Sequence, residues 1–228
     1  MKKRIKNQGI TIFLAVLITL LFSKSLFPHQ REGFLDIFLD ALGIIIILFG
    51  FLLRIVSRGY KEEKSANGTI LVKDGPYALV RNPMYLGTLM IGTGMILVLF
   101  ELWIFILFII VFMRIYIPQI KEEEALLSKR FGDEYYNYYR LTPRSFPKSF
   151  FFLNMHKYLP LKLSWVRKEI PSLLAVCFAV VLFESWEEFT SLGSGEFLKE
   201  LWEIFFIVIV FLGLIITMNL VTERFNSR

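Results

Sequence analysis

The sequence predicts an all-α membrane protein, a polytopic helical bundle with about six transmembrane helices. Three observations predict it. Of the 228 residues, 55% are apolar and 24 are Phe, a composition far too apolar for a soluble domain of this length. Six apolar segments punctuate the chain. Lys and Arg gather in alternate connections between those segments.

Taken in order, the basic stretch Met1–Asn7 precedes an apolar run at about Gly9–Phe27. No small-residue cleavage site follows it, so it reads as a retained first membrane helix. Phe34–Ser57 is the second segment. Tyr85–Phe100 and Leu102–Ile117 are short, are separated only by Glu101, and form a hairpin that either spans or re-enters. Ile170–Trp186 and Leu201–Val221 complete the set. A crossing helix needs about 20 residues, with about 17 as the lower bound, which the first, second and sixth segments meet comfortably. The expected organisation has four parts: two N-terminal transmembrane helices over residues 1–60, a core with the hairpin and two polar motifs over 61–147, an interfacial segment over 148–169, and two further transmembrane helices over 170–228.

Charge placement supports this count. With a cytosolic N-terminus and alternating segments, 21 Lys and Arg lie on the cytosolic side and 3 on the other. That asymmetry fits the positive-inside rule and puts both termini in the cytosol. The net charge of +6 is therefore a topology signal and argues against nucleic-acid binding. In 148–169, Phe150–Phe152, Tyr158 and Trp165 mix with Lys148, Lys157, Lys162, Arg167 and Lys168, a pattern that suits the lipid headgroup layer. Cys177 is the single cysteine and allows no internal disulfide; His29 and His156 are too few and too distant for a metal centre. Cysteine substituted at Ser65 and at Ser194 should be labelled from opposite sides of the membrane. Labelling from one side would overturn the six-helix topology.

Two polar stretches can carry chemistry. In Asp74–Gly87, Gly75-Pro76 marks a turn, and Arg81-Asn82-Pro83 stands immediately before an apolar helix. Asn is a favoured cap and Pro a favoured first-turn residue, so this is a helix start able to hold a carboxylate or hydroxyl-rich ligand. The plain alternative is a capped membrane helix with a snorkelling Arg81. In Lys121–Tyr139, helical spacing puts Glu124, Leu127, Phe131, Tyr135 and Tyr138 on one face, Glu123 at its edge and Glu122 opposite, with Gly132 interrupting the pattern. A carboxylate on an aromatic face requires a partner. Ribose hydroxyls or a sulfonium cation supply one; Arg81 or Lys121 is the structural alternative.

Together, Gly75-Pro-Tyr-x-x-x-Arg-Asn-Pro-x-Tyr85 and Glu123-Glu-x-x-Leu-x-x-x-Phe-Gly-x-x-Tyr-x-x-Tyr138, followed by Pro143-Arg144 and Pro147, resemble the isoprenylcysteine carboxyl methyltransferase and phospholipid N-methyltransferase superfamily. The resemblance covers about Val72–Pro147. It implies a helical membrane fold with a cytosolic cofactor-binding segment that wraps S-adenosylmethionine, and a lipidic or hydrophobic acceptor entering from the side. Carried over, the cofactor residues are Tyr77, Arg81, Asn82, Pro83, Tyr85, Gly92, Gly94, Glu123 and Glu124. Gly92 and Gly94 resemble the phospholipid enzymes' Gly-x-Gly element, although small residues in membrane helices also serve as packing contacts.

Two features depart from the pattern. Asn82 stands where the isoprenylcysteine enzymes carry His, which removes a proton carrier from that position. After Pro147 the chain continues for some 80 residues. Arg114, near the inner end of the fourth segment, is the expected residue for orienting an anionic acceptor, with Arg81 as a second catalytic candidate; an intramembrane charge points to function, and snorkelling is the alternative. Two other readings fit the same fold: an NADPH-dependent sterol-type reductase, and a non-enzymatic membrane binding or assembly protein.

Overall fold

The computed structural model describes residues 33–147, 158–160, 162–167 and 169–192. The apolar segments Gly9–Phe27 and Leu201–Val221 lie outside them. Among the described residues all regular structure is helical: α1 (Phe34–Lys64), α2 (Pro76–Leu79), α3 (Pro83–Leu99), α4 (Ile104–Phe131), α5 (Asp133–Leu141), α6 (Leu163–Val166) and α7 (Ile170–Leu192). Two of these are long and apolar enough to cross a membrane, over Ile37–Lys64 and Ile104–Phe131.

α1 runs beyond the predicted end at Ser57. Its apolar residues stop there, but the following polar residues continue the helix until Ser65, whose N–H caps Lys61 O at 2.9 Å. Lys61 and Lys64 stand in the last turn, where the helix dipole favours cations. Positive φ angles at Ala66, Asn67 and Gly68 then turn the chain back. The predicted hairpin has unequal arms. α3 has 17 residues, which at about 1.5 Å per residue falls short of a hydrocarbon core about 30 Å thick. α4 has 28 residues and carries Pro118 within it.

Glycines bring α1 and α3 together in antiparallel fashion. A Cβ at Gly50 would lie 2.7 Å from Gly87 O, and one at Gly94 would lie 2.5 Å from Gly43 O. Small residues in membrane helices permit this backbone approach, and packing then holds the pair. Gly92, two residues from Gly94 and so on another face of α3, lies against the Phe108 ring of α4. Gly132, which interrupts the helical pattern in the sequence, takes φ 51° and bends the chain. It ends α4 and starts α5, so Tyr135 and Tyr138 swing onto a separate helix. There they form a buried cluster with Leu71, against which Leu127 and Phe131 pack. The aromatic face expected of one continuous helix is thus assembled from two.

α6 docks on α1. Trp165 is buried against Gly59, with its ring edge-on to Tyr60. Expected as a headgroup anchor, this ring instead fills the gap left by a glycine. Lys162 pairs with Glu63 at 2.7 Å. Residues 177–192 belong to a separate unit, described only as the continuation of α7.

Candidate functional site

The two polar motifs meet at one carboxylate. Glu124 is buried, and its Oε1 accepts from Asn82 Nδ2 at 3.3 Å and from Arg144 Nε at 3.2 Å. Arg144 Nη2 donates to Oε2, completing a fork, and Arg81 Nη2 lies 3.4 Å from Oε1. The fork raises the Arg144 pKa further. Backbone supports the same junction, because Arg81 N–H donates to Pro143 O at 2.8 Å. Two guanidiniums and an amide from two separate segments therefore converge on a single acid carried by a third. Asn82 precedes Pro83 as a cap residue should, yet makes no side-chain cap bond. Its amide turns to Glu124 and to Arg144 O at 3.4 Å, since a buried carboxylate is the more demanding acceptor.

Arg81 itself is enclosed, with its side chain 7% exposed and its guanidinium 3.8 Å from the Tyr139 ring centroid. Nε and Nη1 have no hydrogen-bond partner among the described residues. The Tyr135 hydroxyl, itself without a hydrogen-bond partner among the described residues, lies beside this guanidinium. Its pKa is raised by burial and by Glu124, with Arg81 pulling the other way.

Tyr77 and Tyr138 brace the α2 turn. Tyr138 Oη donates to Tyr77 O at 2.8 Å, and Tyr77 Oη to Ser57 O at 3.4 Å. Burial drives both phenol pKa values far above the ordinary 10.0. An unfolded chain would ionise them near their ordinary value, while the folded chain keeps them neutral. Their contribution to stability is complete below about pH 10 and is lost as pH rises above it. Thermal unfolding in detergent should therefore show a midpoint that falls steeply above about pH 10, and Tyr138→Phe should blunt that fall.

A cavity of about 380 Å³ opens beside this junction, within the range of small-molecule sites. Of the residues expected to hold a cofactor, Tyr77, Arg81, Asn82, Pro83, Tyr85 and Glu123 line it. Glu124 sits behind the wall, held by its three partners. Gly92 and Gly94 lie away from the cavity and serve the helix contacts described above. Arg114 is exposed on α4 and lines neither this cavity nor its neighbour.

The neighbouring cavity, about 140 Å³, is bounded mainly by apolar residues of α3 and α4, among them Leu86, Phe112 and Ile120, with Arg144, Ser145 and Phe146 on another side. Tyr85 and Tyr116, with ring centroids 5.4 Å apart, border both cavities. Sequence reasoning missed Arg54, Thr88 and Tyr116, all of which line the larger one. Arg54 carried a signal equal to that of Arg114, a charge inside an apolar run. Among the described residues no cluster of His, Cys, Asp or Glu could hold a metal ion.

Residues 39–134 match the phospholipid methyltransferase family. Over 166 residues the chain is 36% identical to the protein-S-isoprenylcysteine O-methyltransferase of Schizosaccharomyces pombe, covering 63% of this chain and 70% of that protein. No solved structure matches it.

Proposed function

Since the chain belongs to the isoprenylcysteine carboxyl methyltransferase and phospholipid methyltransferase superfamily of membrane methyltransferases, we propose that its larger cavity binds S-adenosylmethionine and that the protein methylates a lipidic or hydrophobic acceptor at the cytosolic membrane face. The observation that carries this reading is Arg81, a cavity-lining residue with a buried guanidinium whose Nε and Nη1 have no hydrogen-bond partner among the described residues. Orphan buried donors call for an acceptor, and a carboxylate is the strongest match for a guanidinium.

The remaining lining suits the rest of that cofactor. Glu123 offers a carboxylate to an ammonium or to ribose hydroxyls, and Tyr77, Phe131 and Tyr138 offer ring faces to a base or a sulfonium. When bound, the cofactor supplies an electrophilic methyl group on a good leaving group. The protein's own work is to hold donor and acceptor in line and to exclude water, which is worth several kcal/mol or more. Glu124 contributes by fixing Arg81 and Asn82 at the wall. Tyr85 and Tyr116 separate the polar compartment from the apolar one. The excess of Lys and Arg on one set of connections supports a cytosolic site.

Calorimetric titration of purified protein should show saturable binding of S-adenosylmethionine and no binding of NADPH. Glu123→Gln should weaken S-adenosylmethionine about tenfold or more, the scale of one charge-assisted hydrogen bond. Binding of NADPH in its place would overturn the proposal.

A further inference from the structure

We propose that Arg54, fixed in place by the buried Glu169, binds an anionic group on the methyl acceptor at the deep end of the larger cavity, an inference that rests on the methyltransferase reading above. Arg54 precedes Lys61 by two turns on α1, and both line this cavity, so Arg54 lies about 10 Å farther from the polar end of the helix. An arginine at that depth in an apolar helix is costly unless it is paired, and such residues mark substrate paths.

The pairing engages only part of the Arg54 guanidinium. Glu169 is 1% exposed and takes Arg54 Nε on one oxygen and Arg58 Nη1 on the other, each at 3.0 Å. Two guanidiniums thus share one carboxylate. Arg54 Nη1 also donates to Thr88 Oγ1 at 2.5 Å, and that hydroxyl in turn donates to Met84 O at 3.0 Å. A guanidinium is planar, so contacts at Nε and Nη1 fix its orientation. Nη2 and the second Nη1 hydrogen remain available to a ligand in the cavity that Arg54 lines.

The surroundings define what that ligand carries besides its charge. Beyond Tyr85 and Tyr116 lies the smaller, mainly apolar cavity between α3 and α4, bordered on one side by Arg144 and Ser145. A molecule with an acid group at Arg54 and a hydrocarbon chain across the two rings satisfies both compartments. A carboxylic acid or a phosphodiester fits this description. A carboxylate acceptor takes the methyl on its own oxygen as the donor's carbon–sulfur bond breaks, and no proton has to leave. With a phosphodiester lipid the anion is only a handle, and the methylated ammonium must first give up a proton to solvent.

The test uses full-length protein in nanodiscs and two acceptors, N-acetyl-S-farnesylcysteine for the carboxylate and phosphatidylethanolamine for the phosphodiester. Arg54→Gln should raise KM for the accepted probe about tenfold or more, with kcat changed far less, and Arg54→Lys should recover part of the loss. The dissociation constant for S-adenosylmethionine should stay within about twofold in both variants. Glu169→Gln should raise the same KM by a smaller factor, because Arg54 keeps its charge and loses its anchor. Arg54→Gln combined with Glu169→Gln leaves no unmatched buried acid and serves where the single variant folds poorly.

Which probe responds identifies the source of the anion. An unchanged KM in folded Arg54→Gln would reduce Arg54 to a structural pin and overturn the inference. Loss of S-adenosylmethionine binding in that variant would overturn it too, by moving Arg54 into the donor site. A wild-type protein that binds S-adenosylmethionine yet methylates neither probe would remove the anionic acceptor and leave the donor reading intact. Failure of the wild-type protein to bind S-adenosylmethionine would remove both.

Discussion

Glu124→Gln is expected to destabilise the protein by about 3 kcal/mol or more and to abolish cofactor binding with it. The change removes the one carboxylate paired with Arg81 and Arg144 among the described residues. Arg144 has its side chain 39% exposed and can turn to water, whereas Arg81, at 7%, cannot. An enclosed guanidinium without a counter-charge is the expensive product of such a substitution, and the Gln amide would also set donor against donor at Arg144. The neighbouring acids provide the contrast. Glu123→Gln should lower affinity for S-adenosylmethionine at unchanged thermal stability, because Glu123 is exposed at the cavity wall. Glu122→Gln, on the exposed surface of α4, should change neither much. Thermal unfolding and calorimetry on the three variants decide the matter. A Glu124→Gln protein as stable as wild type would sink the view of this carboxylate as the junction of three segments.

The other large effect is expected at the α1–α3 contact. Gly50→Leu should prevent accumulation of folded protein, with a cost beyond the about 1–3 kcal/mol typical of overpacking. The obstacle is backbone as well as side chain: a Cβ at Gly50 meets Gly87 O at 2.7 Å, Ile91 Cγ1 at 2.8 Å and Ile91 N at 3.0 Å. Only separation of the helices relieves it, and α3 carries Tyr85 and Thr88 on the cavity wall. Gly50→Ala should already lower the unfolding midpoint. Ile44→Ala, on the exposed face of α1, should be nearly silent. Size-exclusion profiles of detergent extracts, followed by thermal unfolding, would reveal the difference. A monodisperse Gly50→Leu protein with a wild-type midpoint would show that the helices do not need this approach.

These expectations separate two kinds of information. Composition and the length of apolar runs, read locally, announce helices at α1, α3, α4 and α7, because hydrophobic length is a property of neighbouring residues. The motif spacing announces the family, and Gly132 announces the break after α4, because few residues other than glycine adopt a positive φ there at low cost.

Partner choice was not legible in the same way. Helical spacing put Glu124 on the aromatic face and correctly required a partner for it, with Arg81 among the alternatives. Arg144 supplied the fork from a distance of 20 residues, which no local period encodes. Asn82 looked like a cap until Glu124 arrived beside it. Gly92 and Gly94 look alike in sequence, yet one meets an aromatic ring and the other a backbone carbonyl. Arg54 and Arg114 present the same signal, a charge in an apolar run, and packing alone distinguishes them. Glu169, more than a hundred residues away in sequence, anchors Arg54 at the cavity wall, while Arg114 faces outward from α4. Local sequence accounts for α1, α3, α4 and α7, for the family and for the residue types available for binding. The tertiary structure decided which charges neutralise one another and which remain for a ligand, because burial and pairing depend on segments that meet only when the chain folds.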